Sequence, residues 1–240
     1  MNKNVDKFCS GLNDLGISYS DESIDKFLKY YDILIEKNKI MNLTRITDFE
    51  EVVEKHFLDS LSLVKVIDMD DIDNMIDIGT GAGFPGIPVK IMFPSIKVTL
   101  LDSLKKRIEF LKETAKLLDI ENINFIHGRA EDFGRSELYR EKYDLCVSRA
   151  VSNLSSLSEY CLPFVKVGGM FISYKSGESD DEINSAGNAI KKLSGEIQKV
   201  EKFNLPGCDI SRSFVCIKKV KKISDFYPRK AGIPSKKPLI

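Results

Sequence analysis

The sequence lacks the features that define several protein classes. No stretch approaches the roughly 20 consecutive apolar residues of a membrane-spanning helix, and the first residues lack the apolar core of a secretory signal. The five cysteines are scattered, odd in number and form no CxxC pair, which supports neither a disulfide framework nor a zinc site. We therefore expect a soluble, cytoplasmic protein.

Histidine is also scarce. His56 and His127 are the only two, and neither has neighbours in the sequence that resemble a metal site or an activated nucleophile. We expect no bound metal, and we expect each histidine to be a packed or capping residue.

A net charge of zero conceals an uneven distribution. Residues 218–240 carry eight Lys or Arg and one acid, which gives +7 (8 − 1), and the rest of the chain is therefore near −7. Clustered basic residues favour contact with a polyanion, because counterions are released when phosphates are neutralised. The alternative is a solvated segment that aids solubility.

The 240 residues suit one large α/β domain with small additions at its ends. Helical spacing dominates residues 1–70, where Ser20 opens one helix and Thr47-x-x-Glu50 has the form of a capping box for another. These helices are predicted to form an N-terminal helical cap.

From Met75 onward, short apolar runs alternate with amphipathic stretches, which indicates βαβ units and a parallel sheet. Strands are predicted at 75–79, 97–102, 123–128, 143–149 and 168–175. Helices are predicted at 84–93, 104–119, 134–141, 154–165 and 179–196. Two last strands, near 197–204 and at 212–219, are separated only by a Pro-Gly break and are predicted to form an antiparallel hairpin at the edge of a seven-stranded sheet.

A glycine-rich turn follows the first predicted strand. Gly81-x-Gly83-x-x-Gly86 matches the dinucleotide-binding pattern, but a single match of this kind is weak evidence. In that pattern the first glycine follows the strand directly, and here Gly79 and Thr80 intervene. Proline at the helix start also removes a backbone N–H that a pyrophosphate would bind.

The alternative frame, Asp77-x-Gly79-x-Gly81-x-Gly83, suits a ligand without phosphate. S-adenosylmethionine carries an amino-acid portion and a sulfonium cation, so its site needs close backbone approach and negative charge. Asp77 supplies that charge. Asp102, at the end of the second strand, can accept from ribose hydroxyls, although it could instead cap the helix ahead of Leu104.

The third and fourth strands also end in polar residues. Ala130 and Glu131 follow the third strand, where an acid can accept from an adenine amino group; the alternative is that Glu131 and Asp132 cap a short helix. Arg149 ends the fourth strand and is predicted to lie beside the cofactor pocket. It could instead form a structural ion pair with Asp77 or Asp102.

Several longer motifs carry a resemblance to a known family. They are NLTRIT (42–47), KHFLDSL (55–61), DIGTGAGFPGIP (77–88), LLDSLKKRIEFL (100–111), GRAED (128–132), SRAV (148–151) and YPRKAGIPSKKPL (227–239). Together they resemble the bacterial 16S ribosomal RNA guanine-N7 methyltransferases called RsmG or glucose-inhibited division protein B. The resemblance spans the chain from about residue 40 to its end.

The resemblance implies an α/β, Rossmann-like class I methyltransferase domain at 71–220, which uses S-adenosyl-L-methionine and releases S-adenosyl-L-homocysteine. By motif position, the implied cofactor contacts are Gly79, Phe84, Asp102, Ser103, Leu104, Ala130, Glu131 and Arg149. One departure is Ser176, which stands between Lys175 and Gly177 where a Lys-Gly pair is expected. It affects the expected geometry of the loop after the fifth strand.

The implied substrate is 16S ribosomal RNA, free or within the small ribosomal subunit. Guanine N7 carries a lone pair and no proton at neutral pH, so no general base is required and no catalytic residue is assigned beyond positioning by Arg149. The candidate RNA contacts are Arg45, Lys175, Arg212, Arg229, Lys230, Lys236 and Lys237. The basic tail 221–240 is expected on or near the RNA-binding face, and the protein is expected to act as a monomer.

Two other functions are consistent with the sequence. An NAD-dependent oxidoreductase would use Gly81 to Gly86 for its dinucleotide. A non-catalytic RNA-binding or ribosome-assembly factor would keep the fold without binding the methyl donor.

Overall fold

A computed structural model describes residues 4–149 and 152–240; Ala150 and Val151 of the SRAV motif and the first three residues of the predicted helical cap lie outside this range. One seven-stranded sheet organises the chain, in the order β3-β2-β1-β4-β5-β7-β6. The strands are β1 Asn74–Ile78, β2 Lys97–Asp102, β3 Ile123–His127, β4 Tyr143–Arg149, β5 Val165–Ser176, β6 Gly195–Asn204 and β7 Ser211–Lys219.

The strand directions confirm the predicted topology. β1 to β5 run parallel, whereas β7 pairs antiparallel with both β5 and β6. The carboxyl ends of the five parallel strands therefore share one edge of the sheet, and the first residues of β7 lie at that same edge. The strand order reverses between β1 and β4, which is where open α/β sheets bind ligands.

Helices cover both faces of the sheet. One core packs Asp6–Asp14, Asp21–Met41 and the helical segment 49–61 together with Gly86–Met92 and Lys105–Leu117. The other face is covered by Leu154–Cys161 and Asp180–Lys192. The N-terminal helices thus bury their apolar side chains in the same core as the sheet.

The helical segment 49–61 has an unusual middle. It consists of Phe49–Val52, a π-helix at Val53–Leu58 and Asp59–Leu61. Its N-cap is Asp48, whose side chain accepts from the Glu51 amide at 3.1 Å, so the predicted capping box at Thr47 is wrong. Ser20 does cap its helix, in a reciprocal box with Ser23.

The helix predicted at 134–141 is also wrong. The chain forms a short helix at Ala130–Phe133 and then a series of turns, which Arg140 joins to the C-terminal residues. The Arg140 guanidinium donates to the carbonyls of Gly134, Ile223 and Tyr227 at 2.8–3.1 Å. Other predicted helices end within a few residues of their observed ends; the one predicted to reach 165 ends at Cys161.

After β7 the chain returns along the outside of the domain toward the carboxyl edge of the sheet. We call residues 228–237 the C-terminal strap. It contains a short helix, Ile233–Lys236. The strap packs against helix Leu154–Cys161 and lies beside the turn that follows β3.

Candidate functional site

The glycine turn joins β1 to helix Gly86–Met92 at the carboxyl edge. Gly79, Gly81 and Gly83 have φ values of 72°, 62° and 102°, a region that side chains with a Cβ rarely adopt. Gly79 and Gly81 are partly exposed, whereas Gly83 is buried against Tyr30 and Leu111. The first two glycines are therefore the ones that leave backbone open for a ligand.

The carboxylate of Asp77 connects residues at the two ends of this turn. It is fully buried, and its Oδ2 accepts from Thr80 Oγ1 at 2.7 Å and from the Gly86 amide at 3.0 Å. Burial raises the pKa of Asp77 to about 6. Because the carboxylate already occupies the N–H of Gly86, a pyrophosphate at this helix start would lose that donor and meet a negative charge. The arrangement argues against the dinucleotide frame.

Asp102 lies at the end of β2, next to the glycine turn. Its Oδ2 accepts from the Gly81 amide at 3.0 Å and its Oδ1 from the Leu104 amide at 2.8 Å. Arg107 forms an ion pair with the same carboxylate at 3.2 Å. The helix that follows has Leu104 as its N-cap and no side-chain cap, so Asp102 is not the helix cap that was the alternative to a ribose role. The remaining acceptor capacity of its carboxylate leaves room for a ligand hydroxyl.

A cavity of about 230 Å³ opens over the ends of β1, β2 and β3. We call it the nucleoside cavity. It brings together four of the predicted cofactor residues, Gly79, Ser103, Ala130 and Glu131. Its other lining residues are Ile78, Leu101, Gly128, Arg129, Tyr160, Gly232 and Ser235.

A second cavity, of about 460 Å³, opens on the other side of the switch point, over β4, β5 and the start of β7. We call it the cationic cavity. It is lined by Ile46, Lys55, His56, Asp59, Arg149, Tyr174, Lys175, Ser176 and Arg212. Four of these side chains are basic and one is acidic.

Asp59 organises the cationic cavity. Its Oδ2 accepts from Arg149 at 2.7 Å and its Oδ1 from Arg212 Nε at 2.9 Å, and the side chain of Asp59 is almost completely buried. Arg149 comes from the end of β4 and Arg212 from the start of β7. One carboxylate on the helical segment 49–61 therefore fixes two guanidinium groups from different strands; the ion-pair partner of Arg149 is neither Asp77 nor Asp102.

The π-helical turn brings backbone and imidazole groups to the same place. Arg149 also donates to the carbonyl of Lys55 at 3.0 Å. His56 stacks on Phe84, with ring centroids 4.4 Å apart, and its Nε2 lies 2.9 Å from Thr44 Oγ1. Burial, with the neighbouring Arg149 charge, lowers the pKa of His56 to about 3, so the ring is neutral at physiological pH. π-Bulges often mark functional sites.

Phe84 is packed between groups of the cationic cavity and has little exposed surface. Its ring is 5% exposed, lies against His56 and has the Arg149 guanidinium 5.2 Å from its centroid. Leu104, by contrast, is 43% exposed at the rim near Asp102.

The predicted RNA contacts fall into two groups. Arg45, Lys230, Lys236 and Lys237 are exposed. The other three are engaged within the protein: Lys175 by Glu182, Arg212 by Asp59, and Arg229 by Glu159. Arg229 binds a carboxylate that is fully buried, and this ion pair holds the strap to helix Leu154–Cys161.

Sequence reasoning missed Asp59 as a site residue. A signal was present, because His56 and Asp59 are three residues apart and fall on one face of a helix otherwise occupied by apolar residues. An acid on such a face is seldom left without a partner.

A further large cavity lies away from this edge, and the described residues contain neither a metal cluster nor a membrane-spanning helix. A larger cavity, of about 610 Å³, is bordered by Phe93 at the end of helix Gly86–Met92, and so lies toward the amino edge of the sheet. Across the two described ranges, no three His, Cys, Asp or Glu side chains are grouped to hold a metal ion. Over the same residues, no helix has the length and apolar character needed to cross a membrane.

Solved structures share this architecture. P. horikoshii TYW2, crystallised in complex with MeSAdo, superposes with a TM-score of 0.53 at 13% identity, over 70% of this chain and 63% of that one. TrmN from Thermus thermophilus superposes with a TM-score of 0.51 at 13% identity, over 70% of this chain and 53% of that one. The seven-stranded sheet with its terminal hairpin is the fold of the class I S-adenosylmethionine-dependent methyltransferases.

Sequence comparison specifies the family within that class. The GidB family model, rRNA small subunit methyltransferase G, matches residues 23–215, and the chain belongs to this family. A relative named ribosomal RNA small subunit methyltransferase G from Alkaliphilus metalliredigens is 52% identical, covering 95% of this chain and 96% of its own. The Bacillus subtilis protein of that name is 44% identical, and the match covers 98% of this chain and 99% of the relative.

Proposed function

We propose that this protein transfers a methyl group from S-adenosylmethionine to N7 of a guanine in 16S ribosomal RNA. The observation that carries the proposal is the pair of cavities on either side of the switch point. The nucleoside cavity is lined by the buried acid Glu131 and by partly exposed glycine backbone at Gly79, and the cationic cavity is lined by Arg149, Arg212 and two lysines.

The residues around the nucleoside cavity fit S-adenosylmethionine. Asp77, Asp102 and Glu131 place three buried carboxylates along the edge, which suits a cationic ligand. Asp77 Oδ1 is buried and has no hydrogen-bond partner among the described residues, so it retains acceptor capacity. A Cβ on Gly81 would meet only the Gly79 carbonyl, at 4.0 Å, so the turn is open on that side.

We assign each predicted cofactor residue a role in this arrangement, with Leu104 at the exposed rim beside Asp102. Gly79, Ser103, Ala130 and Glu131 would border the nucleoside, and Asp102 would accept from the ribose. Gly81 would present open backbone, while Asp77 and Gly83 hold the turn in shape. Phe84 and Arg149 would border the side of the ligand that faces the cationic cavity.

S-adenosylmethionine, when bound, supplies an electrophilic methyl group on a positively charged sulfur. The task of the protein is then to place N7 in line with that methyl group at roughly 3–3.5 Å, with no proton to remove. Neutral His56 and the tightly bound Arg149 are suited to positioning, and neither is needed as a base.

The cationic cavity suits a guanine that is unstacked from RNA. Ile46 and the buried ring of Tyr174 offer apolar contact, and the basic side chains attract the flanking phosphates. N7 must stay free, so we propose that one donor from Arg212 or Lys175 binds O6 rather than a bidentate arginine covering O6 and N7.

The RNA-binding face would then be the carboxyl edge of the sheet. Exposed Arg45 lies next to Ile46 at the mouth of the cationic cavity, and Lys230, Lys236 and Lys237 project from the strap near the nucleoside cavity. In this proposal the basic tail 221–240 extends the RNA-binding surface of the methyltransferase domain 71–220 and its cap 1–70. The protein would act as a monomer in the cytoplasm.

Nucleoside mass spectrometry tests the proposal directly. 16S ribosomal RNA and small subunits from a strain lacking the gene are incubated with the protein and methyl-labelled S-adenosylmethionine. We expect the label in 7-methylguanosine alone, with a single labelled nucleoside for each 16S ribosomal RNA molecule. Label in another nucleoside would contradict the N7 assignment, and tight RNA binding without any label would favour the non-catalytic alternative.

A further inference from the structure

We propose that the C-terminal strap forms one wall of the cofactor pocket, so that the last residues of the chain take part in binding the adenosyl group. This inference rests on the cofactor placement proposed above. It assigns a binding role to Gly232 and Ser235, which neither the glycine turn nor the strand ends would suggest.

The first observation is the lining of the nucleoside cavity itself. Eight lining residues come from the ends of β1 to β3 and the turns that follow them; Tyr160 comes from helix Leu154–Cys161, and Gly232 and Ser235 come from the strap. The cavity, about 230 Å³, is smaller than the roughly 300–1,000 Å³ of pockets that hold a whole drug-sized ligand. The cavity is therefore suited to one part of the cofactor, and the strap supplies two of the residues that line it.

The second observation is a direct bond between the strap and a predicted cofactor residue. The Gly232 amide donates to Glu131 Oε1 at 2.8 Å, and Glu131 is almost fully buried. Gly232 has φ 80°, a conformation that favours glycine and directs its amide toward the carboxylate. The strap therefore fixes the orientation of Glu131.

The third observation is that the strap is anchored on both sides of Gly232. Glu159, which is fully buried, accepts from the backbone amide, Nε and Nη2 of Arg229 at 2.7–2.9 Å. Beyond the glycine, Ser156 Oγ donates to the Pro234 carbonyl at 2.8 Å. A segment held at both ends can act as a pocket wall, whereas a solvated tail could not.

The experiment compares two left-handed glycines, Gly232 in the strap and Gly207 in the β6–β7 hairpin. At each of them, an added Cβ would have no heavy atom within 4 Å. Each is replaced by alanine, so the free-energy cost of a left-handed alanine is similar at both positions and only the location differs. Binding of 5′-methylthioadenosine and of S-adenosylhomocysteine is measured by calorimetry without RNA, with circular dichroism as the check on folding.

We expect Gly232→Ala to weaken both ligands by the same factor, roughly five- to tenfold, because the left-handed alanine displaces the turn. Gly207→Ala is expected to stay within about twofold of the parent. Equal affinities for the two variants, or a loss seen with S-adenosylhomocysteine but not with 5′-methylthioadenosine, would overturn the proposal.

A second measurement uses the parent protein alone. We expect 5′-methylthioadenosine to slow tryptic cleavage after Lys230 and Lys236, with cleavage after Lys39 on an N-terminal helix as the internal control. Unchanged cleavage of the strap at saturating ligand would contradict the wall assignment. Neither measurement involves RNA, so failure to methylate RNA would refute the proposed function and leave this result standing.

Discussion

Asp59 is the residue on which the cationic cavity depends. Its two oxygens hold Arg149 and Arg212, which come from separate strands, and its own side chain is only 3% exposed. Charge-assisted bonds of this kind fix both the position and the direction of a guanidinium group. We infer that Asp59 acts through the two arginines that it positions.

Asp59→Asn tests this positioning. The amide keeps the shape of the side chain but can accept through only one oxygen, so one arginine loses its partner. We expect kcat for methyl transfer to fall roughly 10- to 100-fold, since small misplacements of positioning groups have effects of this size. The rate is measured with saturating S-adenosylmethionine and RNA.

The control for Asp59 is an exposed ion pair. Asp180→Asn removes the partner of Lys202, a pair at 2.6 Å on the surface, where such pairs contribute about 0–1 kcal/mol. We expect parent-like kcat for this variant. If both variants had the same kcat, Asp59 would have no special role in orienting the arginines.

Two buried groups give stability opposite dependences on pH. Asp77 has its pKa raised from 3.8 to about 6, so its contribution to stability is lost as pH rises from about 4 to 6. His56 has its pKa lowered from 6.5 to about 3, mainly by burial and the Arg149 charge, so its contribution is lost as pH falls below about 6.5. Between about pH 4 and 6 the two slopes largely cancel.

Replacing His56 removes the opposing contribution, so that the pH dependence of stability caused by Asp77 can be measured. In His56→Asn we expect the free energy of unfolding between pH 4.5 and 6 to change more negatively with pH than in the parent, by up to about 1.4 kcal/mol per pH unit. Urea unfolding at several pH values measures both slopes. Parallel profiles for parent and variant would show that His56 does not titrate differently on folding.

At the scale of single residues, the sequence predicted which polar residues lie at or just after the strand ends, but not which residues they pair with. Asp77, Asp102, Glu131 and Arg149 were placed by a simple rule, because the carboxyl ends of parallel strands share an edge. The pairing of Asp59 with Arg149 and Arg212 joins residues 90 and 153 positions apart. No local pattern encodes which acid of many will face a given arginine.

At the scale of elements, packing restricts which residues the glycine turn can contain as strongly as backbone conformation does. A Cβ on Gly86 would overlap the Leu100 side chain and come within 3.0 Å of Asp77 Oδ2. A side chain at this position would therefore force Leu100 to shift, and the close approach of helix Gly86–Met92 to β2 holds Asp77 under the turn.

Gly86→Ala is expected to destabilise the protein by about 1–3 kcal/mol, the usual cost of overpacking. Gly187→Ala is the matched substitution in helix Asp180–Lys192, where a Cβ meets nothing within 4 Å. There we expect a gain of roughly 0.5–1 kcal/mol, because alanine favours a helix over glycine. Chemical denaturation gives both values, and a destabilised Gly187→Ala or a neutral Gly86→Ala would contradict the packing argument.

The elements that the sequence predicted well are those with strong local periodicity. The strands and the hairpin follow from apolar runs and a Pro-Gly break, and all seven were found. The stretch 134–141 was predicted as a helix because it is amphipathic, but its conformation is set by Arg140 contacts with residues 223–227. Those residues lie more than 80 positions away, so local propensity could not reveal the turns.

For the whole molecule, our proposal places the cofactor, the base and the RNA backbone at the carboxyl edge of the sheet. Lys236→Ala with Lys237→Ala should flatten the salt dependence of RNA binding, lowering the slope of log Kobs against log[salt] by about 1.4–1.8 if both lysines contact phosphates. The control removes Lys97 and Lys116, which are exposed toward the amino edge. Equal slopes for the two double variants would place the strap lysines outside the RNA interface.

The most direct test is a crystal structure with S-adenosylhomocysteine bound. We expect adenosine in the nucleoside cavity, against Ala130, Glu131 and Gly232, with the sulfur on the side of Arg149 and the cationic cavity free for a base. Adenosine found among Asp59, Arg212 and Tyr174 would contradict the division of the edge into two cavities, and with it the proposed path of the methyl group.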